Sequence, residues 1–131
     1  MPSGDKIDFD TVRKIGLGLT GVEESTAYGS PALKVRGKLL ACIPVNKSAE
    51  PGSLAVSVDF EQRAALFEED PDTYYVTSHY AGYPIVLVRV SRINQDGLRD
   101  LLKMAWRFVS AKPQQRGTRA ARKNSTRRPK R

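Results

Sequence analysis

The apolar positions of this chain fall into two periods, and the change from one to the other marks its elements. Ile85, Val86, Leu87 and Val88 form a continuous apolar run closed by Arg89 and Val90, with Pro84 before it and a turn region at 91–94 after it. A short β-branched run of this kind predicts a strand covered on both faces or nearly so. Just upstream, Tyr74 and Tyr75 predict a short aromatic strand, and the loop joining the two strands holds the only histidine, His79, together with Tyr80 and Tyr83. Downstream the period lengthens. Leu98, Leu101, Leu102, Ala105, Trp106 and Val109 recur at i, i+3, i+4, i+7, i+8 and i+11, which predicts an amphipathic helix opened by Asn94 or Asp96.

The first half of the chain reads by the same rules. Asp8 or Asp10 is placed to cap a first helix running to about Leu19, with Val12, Ile15 and Leu19 as its inner stripe and Phe9 at its start. Gly16 and Gly18 weaken this helix by about 1 kcal/mol each relative to alanine, and they leave room for close packing on a sheet. A strand is expected near Glu24 to Tyr28, then a hairpin of Ala32–Val35 and Lys38–Ile43 turning at Arg36-Gly37. In the first arm Leu33 and Val35 alternate with Ala32, Lys34 and Arg36, which predicts one apolar and one basic face. Leu54, Val56 and Val58 lie on one face of the next strand. Asp59 caps a second helix, Glu61 to about Glu69, expected to turn Ala64, Ala65 and Leu66 or Phe67 inward until Asp70-Pro71-Asp72 stops it. The strand connections are too short for parallel crossovers. The fold class is therefore α+β: a single compact domain over 1–111 with an antiparallel sheet and about three helices packed on one face.

Composition narrows the setting. No apolar run approaches the roughly 20 residues needed to span a bilayer, and the N-terminal MPSGDKIDFD lacks the apolar core of a secretory signal. A lone cysteine, Cys42, excludes an internal disulfide and a cysteine-rich metal site. A reducing cytoplasm is the expected compartment. Charge matters more once the chain is divided. Residues 1–111 hold 13 basic and 14 acidic side chains, net −1, whereas residues 112–131 hold nine basic side chains and no acid. That terminal stretch has no aromatic residue and, two alanines apart, nothing apolar. It cannot bury enough surface to offset its ordering entropy, so it is expected to be a disordered basic tail when free.

Three blocks carry a resemblance: VRKIGLGLTGVEESTAYGSPALKVRGKLLA, VDFEQRAALFEEDPDTYYVTSHYAGYPIVLVRV and LRDLLKMAWRFV. In this order, over about residues 8–110, they resemble the MmcQ/YjbR family of small bacterial proteins. The likeness rests on Gly21-Val22-Glu23-Glu24 after the first helix, the Gly29–Pro31 turn, Lys38 after a glycine, and the loop His79-Tyr80-Ala81-Gly82-Tyr83-Pro84. Ile85 stands near a place where related sequences often have tryptophan, and Thr20 where proline is frequent. The resemblance implies an antiparallel sheet with helices, similar to the double-wing domain of a phage transcription factor. Family members are often labelled DNA-binding on that fold similarity, and a shared fold does not by itself transfer function.

Candidate chemistry follows from these observations. Lys112, Arg116, Arg119, Arg122, Lys123, Arg127, Arg128, Lys130 and Arg131 in the tail can neutralise phosphates and release counterions, giving affinity without sequence readout. A coil of this length spans about 25 Å, enough to touch several phosphates. The same charges also suit a solubilising extension. Lys34, Arg36 and Lys38 flank the hairpin turn and suit a wing resting on a phosphate backbone; a solvated strand face accounts for them equally well. Arg89 and Arg92 can add to that surface, or Arg89 can pair with an acid across the sheet. Tyr75, His79, Tyr80 and Tyr83, with Tyr74, suit base stacking or a small-ligand pocket, although tyrosines in a strand commonly pack inward and a histidine before a proline commonly braces backbone.

Catalytic readings fail for want of partners. His79 has no second histidine for a metal site, Cys42 sits among apolar neighbours as an inert thiol, and neither a phosphate-cradling glycine loop nor a dinucleotide fingerprint occurs. The expectation is a monomeric, non-catalytic protein without cofactor or metal, binding nucleic acid and not membrane. The alternative is a small-molecule or protein-binding domain that uses the 74–84 loop, with the tail incidental.

Overall fold

A computed structural model describes residues 7–111; the nine basic residues from Lys112 to Arg131 lie outside the described residues. The elements follow in the order α1 (Phe9–Leu17), β1 (Val22–Ala27), β2 (Ser30–Val35), β3 (Lys38–Cys42), β4 (Ser53–Ser57), α2 (Phe60–Glu69), β5 (Tyr74–Tyr75), β6 (Ile85–Arg89) and α3 (Gln95–Ser110), with a 3-10 turn at Val90–Arg92 before the last helix. The strands make one six-stranded sheet in the order β1-β2-β3-β4-β6-β5, and every pairing is antiparallel. The α+β architecture expected from the periodicities is the one observed.

Local chemistry sets the boundaries. Asp8 caps α1 by accepting from Thr11 N–H at 3.1 Å, and Asn94 caps α3 by accepting from Gly97 N–H at 2.8 Å. Asp59 and Gln62 form a reciprocal capping box at the start of α2. The β2–β3 turn places Arg36 at φ 54° and Gly37 at φ 81°, the two positive φ angles of a type I′ turn that matches the twist of its strands. The β1–β2 turn repeats the pattern with Tyr28 at φ 54° and Gly29 at φ 81°, so a tyrosine is held at a turn tip in a backbone region that bulky residues rarely occupy.

All three helices contribute to one core on one face of the sheet. Leu33, Leu40, Leu54, Val56, Val86 and Val88 rise from the strands to meet Val12 of α1, Leu66 of α2, and Leu98, Leu101, Leu102, Ala105 and Val109 of α3. Full burial of each large aliphatic side chain is worth roughly 1.5–3 kcal/mol relative to exposure. Gly16 of α1 is buried against β2, and a Cβ added there would stand 2.4 Å from Leu33 Cδ1. The helix sits as low on the sheet as it does because this position has no side chain. Trp106 ties α3 to the exit of α1 by donating from Nε1 to Thr20 O at 2.8 Å.

Two expectations are corrected. The second face of the sheet is not simply basic: Ala32, Cys42, Ala55 and Leu87 form a separate buried cluster there, flanked by Leu39, Tyr75, Tyr80 and Ile85. The small side chains of Ala32, Cys42 and Ala55 leave room for two loops to fold across. In α2, Ala64 and Ala65 are exposed, and only Leu66 is buried, with Phe67 packed beside it. That helix rests mainly on the short β5 and the adjoining β6, a seat too narrow to cover a wider stripe.

Candidate functional site

Two surfaces concentrate functional side chains, one on each side of the sheet. The first is a cleft of about 630 Å³ on the face without helices, within the roughly 300–1,000 Å³ typical of small-molecule sites. Its floor is Leu39 and Cys42 of β3, Ala55 of β4 and Ile85 of β6. One wall is the Ile43–Lys47 segment, the other is His79, Tyr80 and Tyr83, and Tyr28 stands at one end. Tyr28 is 91% exposed and Tyr83 57%. Among the described residues, four of the six large exposed hydrophobics (Tyr28, Ile43, Val45 and Tyr83) line this cleft. Uncovered apolar surface gathered in one place marks a binding surface more often than a scatter of single residues does.

The loop that walls the cleft is braced by a residue the sequence reading did not single out. Arg63 of α2 donates to three carbonyl oxygens, Ala81 O at 3.0 Å, Tyr83 O at 2.9 Å and Ile85 O at 3.0 Å, and lies 4.8 Å from the Phe60 ring centroid. His79 does not take that role; it is exposed and stands edge-on to Tyr80 at 4.7 Å between ring centroids. Replacing Arg63 with alanine leaves one part-buried carbonyl and two exposed ones without this donor. The expected cost is about 2 kcal/mol, seen as a lower denaturation midpoint together with faster amide exchange across 79–85.

The remaining aromatic candidates divide. Tyr75 is committed to structure: its hydroxyl accepts from Glu50 N–H at 2.8 Å and lies 2.6 Å from Ser53 Oγ. Arg89 stacks over the Tyr75 ring at 4.3 Å and pairs with Glu50 through two hydrogen bonds of 2.9 and 2.8 Å. The cross-sheet partner anticipated for Arg89 is thus Glu50, whose carboxyl that guanidinium holds below the usual carboxylate range. Tyr74 packs against the helix-side core, and burial pushes its phenol up. Burial also raises the Tyr80 phenol and the Cys42 thiol, where Lys34 acts in the opposite, weaker sense. Cys42 is therefore a protonated thiol at neutral pH.

The second surface lies on the helix side. A groove of about 590 Å³ between α1 and α3 is lined by Thr11, Lys14, Ile15, Gly18, Leu19, Gln95, Arg99 and Lys103, with no carboxylate among them. Arg99, Lys103 and Arg107 are all exposed on α3. Their spacing of four residues places them along one side of the helix, over about 12 Å at 1.5 Å per residue. Asp96 pairs with Arg99 at 3.1 Å, so positive charge grows toward the end of α3, where residues 112–131 begin.

The three hairpin cations do not share a face. Lys34 lies opposite Glu23 and Leu39 in the register, on the cleft side, whereas Lys38 lies opposite Val35, whose side chain joins the helix-side core. Cross-strand partners point to the same side of a sheet. Arg36 is exposed at the turn between them. Among the described residues, no helix is long and apolar enough to cross a membrane, and no group of three or more His, Cys, Asp or Glu side chains is placed to hold a metal ion.

Comparison with known proteins adds a family and three relatives. The family model described as YjbR matches residues 17–108, more than half of the chain. Uncharacterized proteins of Mycobacterium bovis and of two Mycobacterium tuberculosis strains are 40% identical over 48 residues, a stretch that covers 37% of this chain. The match also spans 37% of the length of each of these relatives.

Proposed function

The chain belongs to the YjbR family, and on that premise we propose that it is a non-catalytic nucleic-acid-binding protein that grips the phosphate backbone without reading base sequence. The observation that carries this reading is the row Arg99, Lys103 and Arg107 on the exposed side of α3, which runs in sequence directly into nine basic residues and no acid over 112–131. Lys14 adds a fourth cation across the groove, and Arg36 at the hairpin tip offers an outlying contact. Contacts of this kind position a protein on nucleic acid and weaken steeply with salt. The acidic side chains Glu61, Glu68 and Glu69 on α2 are exposed and orient the phosphate toward α3 by repulsion. Support for the absence of catalysis comes from the groups present: the thiol is held protonated by burial, and Glu50 is engaged by Arg89.

Reversing two charges tests the row. Lys103→Glu with Arg107→Glu is expected to weaken duplex binding about tenfold near 100 mM salt and to flatten the log–log salt dependence by about 2, equally for unrelated sequences. Fluorescence anisotropy of labelled duplexes measures both quantities. A slope and affinity equal to those of the unaltered protein would remove α3 from the interface.

A further inference from the structure

We infer that the cleft on the helix-free face is a second binding site, separate from the phosphate-gripping surface, and that it takes a small planar aromatic molecule bearing an anionic group. The floor of the cleft comes from β3, β4 and β6, interior strands whose backbone groups are paired with their neighbours. The sheet edges, β1 and β5, contribute no backbone to that floor. An extended peptide adding itself as a strand therefore finds no open sheet edge along the floor of the cleft. Recognition falls to side chains, and those present are of two kinds. Tyr28, Tyr80, Tyr83 and His79 supply ring faces and edges around an apolar floor, which suits a flat ring. Lys47 is the lining residue with a full positive charge, and no carboxylate lines the cleft, so an anionic substituent is accommodated and a cationic one finds no counter-charge. Exposure concentrates here as well: Tyr28 and Tyr83 keep most of their surface uncovered, while Arg63 holds the 81–85 backbone that carries Tyr83. The backbone of that wall is held before any ligand arrives, which lowers the ordering cost of binding.

The full-length protein titrated with 8-anilinonaphthalene-1-sulfonate, followed by fluorescence and by amide chemical shifts, tests this site. Shifts are expected at Tyr28, at 42–47 and at 79–85. Lys47→Glu is expected to weaken the dye about fivefold, and Tyr28→Ala with Tyr83→Ala about tenfold, with thermal melting unchanged because all three side chains are exposed. The uncharged analogue N-phenyl-1-naphthylamine should bind more weakly than the sulfonate and be indifferent to Lys47→Glu. Lys103→Glu with Arg107→Glu, which disables the phosphate-gripping row, should leave dye binding intact, so failure of the nucleic-acid reading and failure of this site are separable. Shifts spread over the helix face, dye affinity unaltered by both sets of cleft substitutions, or a cleft closed by a second copy in a concentration-dependent dimer would each overturn the inference.

Discussion

A chain ending at residue 111 is expected to bind duplex DNA about 100-fold more weakly than the full-length protein at 50 mM salt, with a difference that narrows as salt rises. The magnitude follows from charge alone. Residues 112–131 carry nine of the 22 basic side chains, while residues 1–111 are near neutral. If about half of those nine engage phosphates, they contribute about −4 to the log–log salt slope, or roughly 10²- to 10³-fold in affinity between 50 and 200 mM. The row on α3 remains in the shortened chain, so weak salt-sensitive binding should persist. Thermal melting should not change, because residues 112–131 offer a core nothing more apolar than two alanines. Anisotropy titrations of both chains with the same duplex, and with single-stranded RNA of equal length, measure the effect; equal affinities would strip residues 112–131 of their role.

Substitution at the α1–β2 contact is expected to have the largest effect on stability. Gly16→Ala brings a methyl group to 2.4 Å from Leu33 Cδ1, and Leu33 is fully buried, so it has little space into which to retreat. Alanine ordinarily favours a helix over glycine by about 1 kcal/mol. Overpacking of a tight core costs about 1–3 kcal/mol, and the expected net result is a loss of about 1 kcal/mol. Leu33→Ala alone should cost about 3 kcal/mol through the lost burial and the cavity left behind. In the double variant the new methyl enters that cavity, and the combined loss should fall short of the sum by about 1 kcal/mol. Denaturant melts of the four proteins measure this coupling. A stabilising Gly16→Ala would mean that α1 does not rest on Leu33.

Why some of this was legible in the sequence is a matter of distance along the chain. Helix α3 announces itself because its stripe, Leu98 to Val109, repeats within a single element. Strand β6 is a continuous apolar run because it lies between β4 and β5 with both faces covered. The Asp59 cap and the Arg36-Gly37 turn are equally local. The cleft is not local. It forms where the 43–47 and 79–85 segments fold over β3, β4 and β6, and the small residues on that side, Ala32, Cys42 and Ala55, sit between other apolar residues in a way that reads only as the reverse side of a strand. Arg63 was invisible for the same reason, since its three carbonyl partners lie 18 to 22 residues away. The row on α3 could have been found from the spacing of Arg99, Lys103 and Arg107, a signal masked by the heavier charge of the residues that follow. Ala64 and Ala65 misled because alanine suits a helix on either side, and only the narrow seat of α2 decides which side is covered.

The most direct measurement is the footprint of duplex DNA on the full-length protein, read from amide shifts and line broadening in low salt. Lys14, Arg99, Lys103, Arg107 and residues 112–131 should respond together and lose their response as salt is added, while the acidic face of α2 and the cleft residues Tyr28 and Tyr83 stay silent. A footprint centred on α2 or on the cleft, or one that survives high salt, would rule out phosphate gripping by α3 and the residues that follow it.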